Sequence, residues 1–307
     1  MTVLNTIGRT SLVPLEHMVS DGSARILLKL EYENPTGSMK DRMALAMVEA
    51  AQADGRLRPG GSVVEYTGGS TGVSLAFVCA AKRIPLQIVT SEAFSKEKRD
   101  HMAALGAQLT LVASPTGGTT KALTLEMIET ARQLARAPGS YRTDQLNNTD
   151  QLSSYERMGQ EIWEQSGGQI SAFVQSVGTA GSLRGIATRL RSHDRAVRVV
   201  AVEPEESAVL SGGASGSHKI EGTGAGFVVP LWADGLADEI QTVSTGEAMA
   251  TARRLAREEA IFAGTSTGAN VAVALRVAAR LGPGRTVVTV AVDSGMKYLS
   301  TALYART

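Results

Sequence analysis

The sequence predicts an α/β protein with mostly parallel sheets. Apolar, β-branched runs alternate with helical stretches along nearly the whole chain. Some runs, such as residues 197–202 and 287–292, are almost continuously apolar, which is typical of strands covered by helices on both faces. Glycine accounts for 32 of the 307 residues, and much of it lies in short clusters between apolar runs. Such clusters are expected at tight turns from strand to helix.

The apolar runs predict eight strands, at residues 25–32, 62–67, 86–91, 108–112, 171–177, 197–203, 239–243 and 286–294. Six helices are predicted between them, at residues 43–52, 73–83, 95–105, 119–135, 152–165 and 245–260. Ser244 and Glu247 predict a capping box at the start of the last helix. Alternation of this kind favours right-handed crossovers between parallel strands.

Composition excludes several classes of function. The 31 basic and 30 acidic residues leave a net charge of +1 and form no basic block, so no nucleic-acid or membrane-surface partner is expected. No signal peptide or spanning apolar run is visible, so a cytoplasmic protein is expected. The single cysteine, Cys79, lies in an apolar run and is interpreted as a buried small hydrophobe. No disulfide and no metal site are expected.

Two loops suggest a site for a phosphate-bearing cofactor. Residues 34–42 form a polar turn that opens into a helix and contains Lys40. Residues 175–182 leave a buried strand and enter another helix through small residues. Small residues allow backbone N–H groups to converge on an anion, and the hydroxyls of Thr179 and Ser182 would complete the site. The structural alternative is a tight turn between strand and helix.

Two further segments suggest a substrate site. Residues 64–72 again lead from a strand into a helix, and their N–H groups and hydroxyls suit the carboxylate of an amino acid. A structural turn is the alternative. Residues 207–226 are rich in Gly and Ser and lack periodicity. They predict either a flexible surface loop or a lid over a pocket.

These motifs resemble those of a known enzyme family, the fold-type-II pyridoxal-phosphate (PLP) enzymes. The matching segments are residues 34–42, 67–72, 178–182, 218–227 and 293–301. The resemblance is strongest to the O-acetylserine sulfhydrylase (cysteine synthase) branch of the cysteine synthase/cystathionine β-synthase family, and it runs from about Ile7 to Leu303. It implies two three-layer αβα domains like those of the tryptophan synthase β subunit.

The resemblance also implies how the chain divides into domains. A smaller, mobile domain would span residues 35–145. A larger domain would combine residues 1–34 with 146–307 and hold the phosphate of PLP. The smaller domain would close over the substrate.

The resemblance assigns a role to each matching residue. Lys40 would hold PLP as a Schiff base and then remove the α-proton of the substrate. Ser70 would contact the cofactor's phenolic oxygen, and Ser294 would bind its pyridine nitrogen. A serine there makes the ring a weak electron sink, which favours β-replacement and β-elimination. Asp293 is expected to point to the opposite side of the strand.

The remaining implied site residues form two groups. The phosphate would be bound by Gly178, Thr179, Ala180, Gly181 and Ser182. The substrate would be bound by Thr67, Gly68, Gly69, Thr71, Gln145 and Gly222.

The substrate loop departs from the family pattern. The family usually has Thr-Ser-Gly-Asn-Thr-Gly where this chain has Thr-Gly-Gly-Ser-Thr-Gly at residues 67–72. Ser70 offers one hydroxyl in place of an amide, so one contact to the ligand is lost or bridged by water. Gly68 removes a serine hydroxyl. The identity of the substrate therefore depends on this loop more than the identity of the cofactor does.

The implied reaction is β-replacement on an activated L-serine through an α-aminoacrylate intermediate. O-acetylserine and sulfide would give L-cysteine and acetate. One alternative is another nucleophile, or β-elimination as in a desulfhydrase or deaminase. A second is a catalytically silent homologue that binds PLP or a partner protein. By resemblance, a homodimer is expected, with serine acetyltransferase as a partner.

Overall fold

The computed structural model describes residues 1–115 and 117–305, whose ten strands form two sheets. The strands of the larger sheet are β1 (Leu12–Pro14), β2 (Arg25–Leu30), β7 (Ala172–Ser176), β8 (Arg198–Pro204), β9 (Glu239–Val243) and β10 (Thr286–Ala291). Their order is β1-β2-β10-β7-β8-β9. All neighbours are parallel except the edge strand β1, which is antiparallel to β2.

The smaller sheet contains four parallel strands. They are β3 (Ser62–Tyr66), β4 (Leu86–Ser91), β5 (Gln108–Val112) and β6 (Ser140–Arg142). Their order is β5-β4-β3-β6.

Eight α-helices in the described residues cover the sheets. They are α1 (Lys40–Ala53), α2 (Ser70–Lys82), α3 (Lys96–Ala104), α4 (Lys121–Leu134), α5 (Gln151–Gln165), α6 (Gly181–His193), α7 (Thr245–Glu258) and α8 (Thr265–Leu281). Within residues 1–115 and 117–305, no helix combines the length and apolar character needed to span a bilayer.

Alternating side chains give each sheet two apolar faces. In β7, Phe173 packs in the cluster that contains Leu183 of α6, whereas its neighbour Val174 packs in the cluster that contains Ala269 of α8. The smaller sheet likewise packs against α4 on one face and against α1, α2 and α3 on the other. Each sheet is therefore the middle layer of an αβα sandwich, which confirms the predicted fold class.

The prediction missed short or weakly patterned elements. Strands β1 and β6 have only three residues each. Helix α8 is buried along most of its length, so no contrast between a polar and an apolar face marks it in the sequence. The predicted capping box is half present. Ser244 accepts the N–H of Glu247 (3.2 Å), but the Glu247 carboxylate pairs with Arg276 instead.

The two sheets draw on different parts of the chain. The smaller sheet uses strands between residues 62 and 142, and the larger sheet uses strands between residues 12 and 30 and between 172 and 291. The expected domains at 35–145 and at 1–34 with 146–307, and the mobility of the smaller one, remain proposals. Cys79 is buried, as predicted, and burial raises the pKa of its thiol to about 12.

Candidate active site

A cavity of about 130 Å³ lies where β3, β7 and β10 end and where α1, α2, α6 and α8 begin. Ligands of parallel α/β sheets bind at this edge, outside the carboxyl ends of the strands. Most residues predicted to form the site line this cavity. They are Lys40, Thr67, Gly68, Gly69, Ser70, Thr71, Gln145, Gly178, Thr179, Ser182 and Gly222.

Lys40 is the first residue of α1, and its side chain faces the cavity. The turn before it is tied to the end of β10, because the N–H of Met39 donates to the carbonyl of Val292 (3.0 Å). Burial lowers the pKa of Lys40 to about 8, although Asp293 opposes the shift. The neutral amine, the form that condenses with an aldehyde, is therefore well populated near pH 8.

The loop at residues 178–182 has the geometry of an anion site. Within the described part of the chain, the backbone N–H groups of Gly178, Thr179 and Ala180 have no hydrogen-bond acceptor. Helix α6 begins directly after them, at Gly181. Unpaired N–H groups at a helix N-terminus attract an anion through both hydrogen bonding and the helix dipole.

Further contacts shape this loop for a phosphate. Ser182 accepts a hydrogen bond from Nε2 of Gln175 (2.8 Å), so its own hydroxyl proton remains to donate to a ligand. A Cβ at Gly178 would clash with the carbonyl oxygen of Gly222, so no side chain fits there. Ala180 adopts φ of +66° and, with Gly181, shapes the loop without lining the cavity. The loop therefore fits the phosphate of PLP.

Gln145 completes the predicted substrate loop at residues 67–72. The hydroxyl of Thr71 donates to Oε1 of Gln145 (2.8 Å), and Nε2 of Gln145 donates to the carbonyl of Tyr66 (2.7 Å). The N–H of Gln145 donates to the carboxylate of Glu65 (2.9 Å). Burial raises the pKa of Glu65 to about 7. The glutamine is thus held rigidly beside the loop that would bind a substrate carboxylate.

The glycines of this loop have a steric explanation. A Cβ at Gly68 would lie only 2.7 Å from the ring of Phe94, so the serine usual in the family would require this ring to shift. Gly69 has φ of +142°, and a Cβ there would clash with the side chain of Lys98. Phe94 and Lys98 occupy the space that larger loop residues would need.

Ser70 is engaged by a neighbour that the sequence did not suggest. It begins α2, and its hydroxyl donates to Oδ2 of Asp293 (2.8 Å). Tyr298 donates to the same oxygen (2.9 Å). Ser70 would have to rotate away from Asp293 to donate to an anionic oxygen of a ligand, so its contact with the phenolic oxygen remains a proposal.

The structure reverses the expected directions of Ser294 and Asp293. Among the described residues that line the cavity, Asp293 is present and Ser294 is not. The Ser294 hydroxyl instead accepts the N–H of Met296 (3.2 Å). Asp293, which alternation was expected to point away from the site, is the one that faces the cavity. Ser294 is therefore not placed to bind a pyridine nitrogen in this cavity.

Ser266 is the serine that lines the cavity from the start of α8. It is 2% exposed. The sequence contained a signal for this position, because Ser266-Thr267-Gly268 repeats the Ser-Thr-Gly pattern of residues 70–72 after an apolar stretch. The signal was missed because α8 was not predicted.

A buried charged group also escaped the sequence analysis. Nζ of Lys98 donates to Oε2 of Glu221 (2.7 Å) and to the hydroxyl of Tyr298 (3.0 Å), and it lies 4.0 Å from Oδ2 of Asp293. Lys98 lies on the polar helix α3, where nothing in the sequence distinguishes it from a surface lysine. Glu221 belongs to the segment at residues 207–226, several residues of which border the cavity. Its role as a lid stays a prediction.

Comparison with known proteins agrees with this site. A model of the family described as pyridoxal-phosphate dependent enzyme matches residues 3–293. A cysteine synthase of Staphylococcus aureus strain Mu50 is 41% identical over 305 residues, which cover 99% of this chain and 96% of that protein.

Solved structures show the same relationship. The cysteine synthase of Entamoeba histolytica superposes with a TM-score of 0.91 at 35% identity, covering 99% of this chain and 90% of that one. An O-ureido-L-serine synthase superposes with a TM-score of 0.92 at 37% identity, covering 99% and 94%. The chain therefore belongs to the pyridoxal-phosphate dependent enzyme family and is a PLP enzyme of the cysteine synthase type.

Proposed function

We propose that this enzyme replaces the acetoxy group of O-acetyl-L-serine with sulfide and releases L-cysteine and acetate. The observation that carries the proposal is that Lys40, the phosphate-binding loop at 178–182 and the carboxylate-binding loop at 67–72 line one cavity. Relatives named cysteine synthase, similar over nearly the whole chain, support the same reaction.

Each part of the cavity has a task in this reaction. When bound, PLP supplies an aldehyde that condenses with amines and a ring that withdraws electrons from the substrate's α-carbon. Residues 178–182 bind its phosphate, and Ser266 is assigned to its pyridine nitrogen. Thr71 and Gln145 orient the substrate carboxylate. Nζ of Lys40 anchors the cofactor and takes the α-proton from the substrate.

A spectral titration tests the proposed reaction. O-acetyl-L-serine should shift the visible absorbance of the PLP-bound enzyme and release acetate, and sulfide should then restore the absorbance and release one cysteine per acetate. L-alanine, which has no leaving group at Cβ, should release no product. Accumulation of pyruvate and ammonia would favour β-elimination instead. A visible spectrum that does not respond to any β-substituted alanine would support the catalytically silent alternative.

The assignment of Ser266 predicts different effects for two serines. Ser266→Ala should lower kcat/KM with O-acetyl-L-serine by about tenfold, because it removes a hydrogen bond to the cofactor ring. Ser294→Ala should leave kcat/KM within about twofold of the wild-type value, since Ser294 does not line the cavity. Steady-state kinetics and the position of the visible absorbance band would measure both. A larger loss of kcat/KM in Ser294→Ala than in Ser266→Ala would instead favour Ser294 as the residue that binds the pyridine nitrogen.

A second candidate reaction uses a nucleophile other than sulfide. One structural neighbour is named for the synthesis of O-ureido-L-serine. In this chain, the substrate loop carries Gly68 and Ser70, and a charged group faces the cavity beside it. These features support a nucleophile that the cavity recognises by its charge or hydrogen bonds as well as by its size.

Further proposals rest on the family resemblance. The enzyme is proposed to act in the cytoplasm as a homodimer, with serine acetyltransferase as a partner. The smaller domain, residues 35–145, is proposed to close over the substrate.

A further inference from the structure

The imidazole ring of His218 closes residues 218–224 into a turn, which we call the histidine turn. Nδ1 accepts the N–H of Ile220 (3.3 Å), and Nε2 lies 3.0 Å from the carbonyl oxygen of Gly224. A carbonyl oxygen can only accept, so Nε2 carries a proton and Nδ1 does not. The residue is only 4% exposed. One buried side chain therefore ties the two ends of the turn together through two hydrogen bonds.

Contacts with α8 fix the middle of the histidine turn. Ile220 is buried in an apolar cluster that contains residues of α8. The N–H of Glu221 donates to the hydroxyl of Thr265 (3.1 Å), the first residue of that helix. Within the turn, the hydroxyl of Thr223 donates to the carbonyl of Ile220 (3.0 Å). The middle of the turn is thus held by α8, whereas the ring of His218 holds its ends.

The histidine turn packs directly against the start of the loop proposed to bind phosphate. The N–H of Gly224 donates to the carbonyl of Val177 (3.1 Å), the residue before that loop. The carbonyl oxygen of Gly222 lies against Gly178, where an added Cβ would be only 2.3 Å from it. Since Gly224 also accepts from the ring of His218, any movement of the ring is transmitted to Val177 and Gly178. The backbone N–H of Gly178 is one of those that would bind the phosphate.

The ring of His218 acts on this loop only through the turn. Among the described residues that line the inner cavity, His218 is absent, whereas Glu221, Gly222 and Thr223 of the turn are present. His218 is also the buried member of the four histidines, since the other three are exposed. A purely structural role would be to satisfy one local stretch of backbone. The contacts of Gly222 and Gly224 with residues 177 and 178 instead connect this ring to the anion site.

We propose that His218 is a positioning residue for the cofactor phosphate. Its two hydrogen bonds hold the histidine turn against residues 177 and 178, and the turn keeps the N–H groups of the loop in the arrangement that binds an anion. A loop that is already ordered before its ligand arrives loses less conformational entropy on binding, and this raises affinity. The inference rests on the proposed assignment of residues 178–182 to the phosphate. It holds whichever nucleophile the enzyme uses.

Three substitutions of His218 separate its two hydrogen bonds. His218→Phe keeps a ring and removes both bonds. His218→Asn places an amide oxygen near the position of Nδ1, and His218→Gln places an amide nitrogen near that of Nε2, so each keeps one bond. Absorbance titration of the full-length apoenzyme would give its affinity for PLP and for pyridoxal, which lacks the phosphate. The ratio of these affinities should fall about tenfold in His218→Phe and by less in the other two variants, while pyridoxal binding stays within about twofold.

Limited digestion with trypsin reports directly on the histidine turn, because Lys219 lies within it and is exposed. His218→Phe should speed cleavage after Lys219 by about tenfold relative to cleavage after Arg195, in an exposed segment between α6 and β8. His193→Phe is the matched control: His193 is exposed and stacks on Trp163 at 4.8 Å, a contact that phenylalanine preserves. It should change neither this cleavage rate nor the affinity ratio by more than about twofold. Circular dichroism would establish that all variants fold.

The outcomes separate this inference from the assignment on which it rests. Ser182→Ala alters the proposed phosphate loop itself and should lower the affinity ratio about tenfold. If Ser182→Ala lowers the ratio but His218→Phe does not, the role of His218 is refuted and the loop assignment stands. Equal losses of PLP and pyridoxal affinity in His218→Phe would also refute it, because they indicate a general loss of structure. If His218→Phe does not fold, wild-type ratios in both His218→Asn and His218→Gln refute the role. If Ser182→Ala leaves the ratio unchanged, the loop assignment itself fails.

Discussion

Lys40→Ala should abolish turnover, with a loss of about a thousandfold or more, because the residue proposed to anchor the cofactor is also the one proposed to move the α-proton. Borohydride reduction of the wild-type enzyme should fix PLP on the peptide that contains Lys40, and reduction of the variant should fix none. Absorbance and peptide mass spectrometry would measure both.

Lys297→Met provides a matched control for this variant. Burial lowers the pKa of Lys297 to about 8, as it does for Lys40, but among the described cavity-lining residues only Lys40 and Lys98 are lysines. Lys297→Met should therefore keep the trapped cofactor on Lys40. Trapping at Lys297 or Lys98 would show that the anchoring lysine has been misassigned.

The shifted pKa of Lys40 also predicts the pH dependence of cofactor uptake. The protonated amine cannot attack the aldehyde of PLP, so uptake by the apoenzyme should be slow well below pH 8. Because the pKa of Lys40 is lowered to about 8, the rate should rise through pH 8 and then level off. A rate that keeps rising past pH 10 would indicate an ordinary, solvated lysine.

Arg42→Met should lower the free energy of unfolding by about 3–5 kcal/mol, because it leaves a buried carboxylate without its cation. The Arg42 guanidinium donates to both oxygens of Glu31 (2.7 and 2.8 Å) and to both oxygens of Glu161 (2.7 Å each). Glu31 is fully buried. Lys29 remains beside Glu161 at 2.8 Å and limits the loss there. Equilibrium unfolding in guanidinium chloride with saturating PLP would measure the change.

An exposed ion pair is the control for Arg42. Arg254 binds Glu258 one turn away on α7, and their side chains are 50% and 38% exposed. Arg254→Met should cost less than about 1 kcal/mol, because solvent screens the pair. Equal losses of unfolding free energy in the two variants would contradict the claim that burial makes the Arg42 ion pairs more important than an exposed pair.

The same network should respond to acid. Burial by itself would raise the pKa of the Glu161 carboxyl group, but hydrogen bonds from Arg42 and Lys29 lower this pKa to about 2. A carboxyl group whose pKa is lower in the folded than in the unfolded protein stabilises the fold at pH values above its unfolded pKa. This stabilisation is lost as the pH falls toward its folded pKa. The difference in stability between wild type and Arg42→Met should therefore persist at neutral pH and shrink as pH falls from about 4.5 to about 2.

The local sequence pattern was sufficient to predict the buried strands and the loops of the candidate site. Continuous apolar runs predicted buried parallel strands, and small-residue loops after those strands predicted where ligands would bind. The lysine loop, the phosphate-binding loop and the substrate loop all follow this logic. Each depends on neighbours in sequence, because backbone N–H groups at one helix N-terminus converge without help from distant residues.

Side-chain direction at the ends of elements could not be determined locally. The alternation of Asp293 and Ser294 was visible in the sequence, but which of them faces the cavity depends on how β10 is placed against the turn at residues 37–39. An isolated bridge between Ser38 and Asp293 sets that placement in the structure. A single-residue change of register would exchange the two side chains.

What the sequence by itself determined, then, is the αβα architecture and the family, together with the loops and the lysine, Lys40, that the structure brings to one cavity. The tertiary structure alone decided that Ser266 replaces Ser294 at the cavity wall and that Lys98 meets Glu221, which lies 123 positions later in the sequence. The physical reason is that a charged side chain on a polar helix becomes buried only when a distant segment packs over it, and no local pattern encodes that contact.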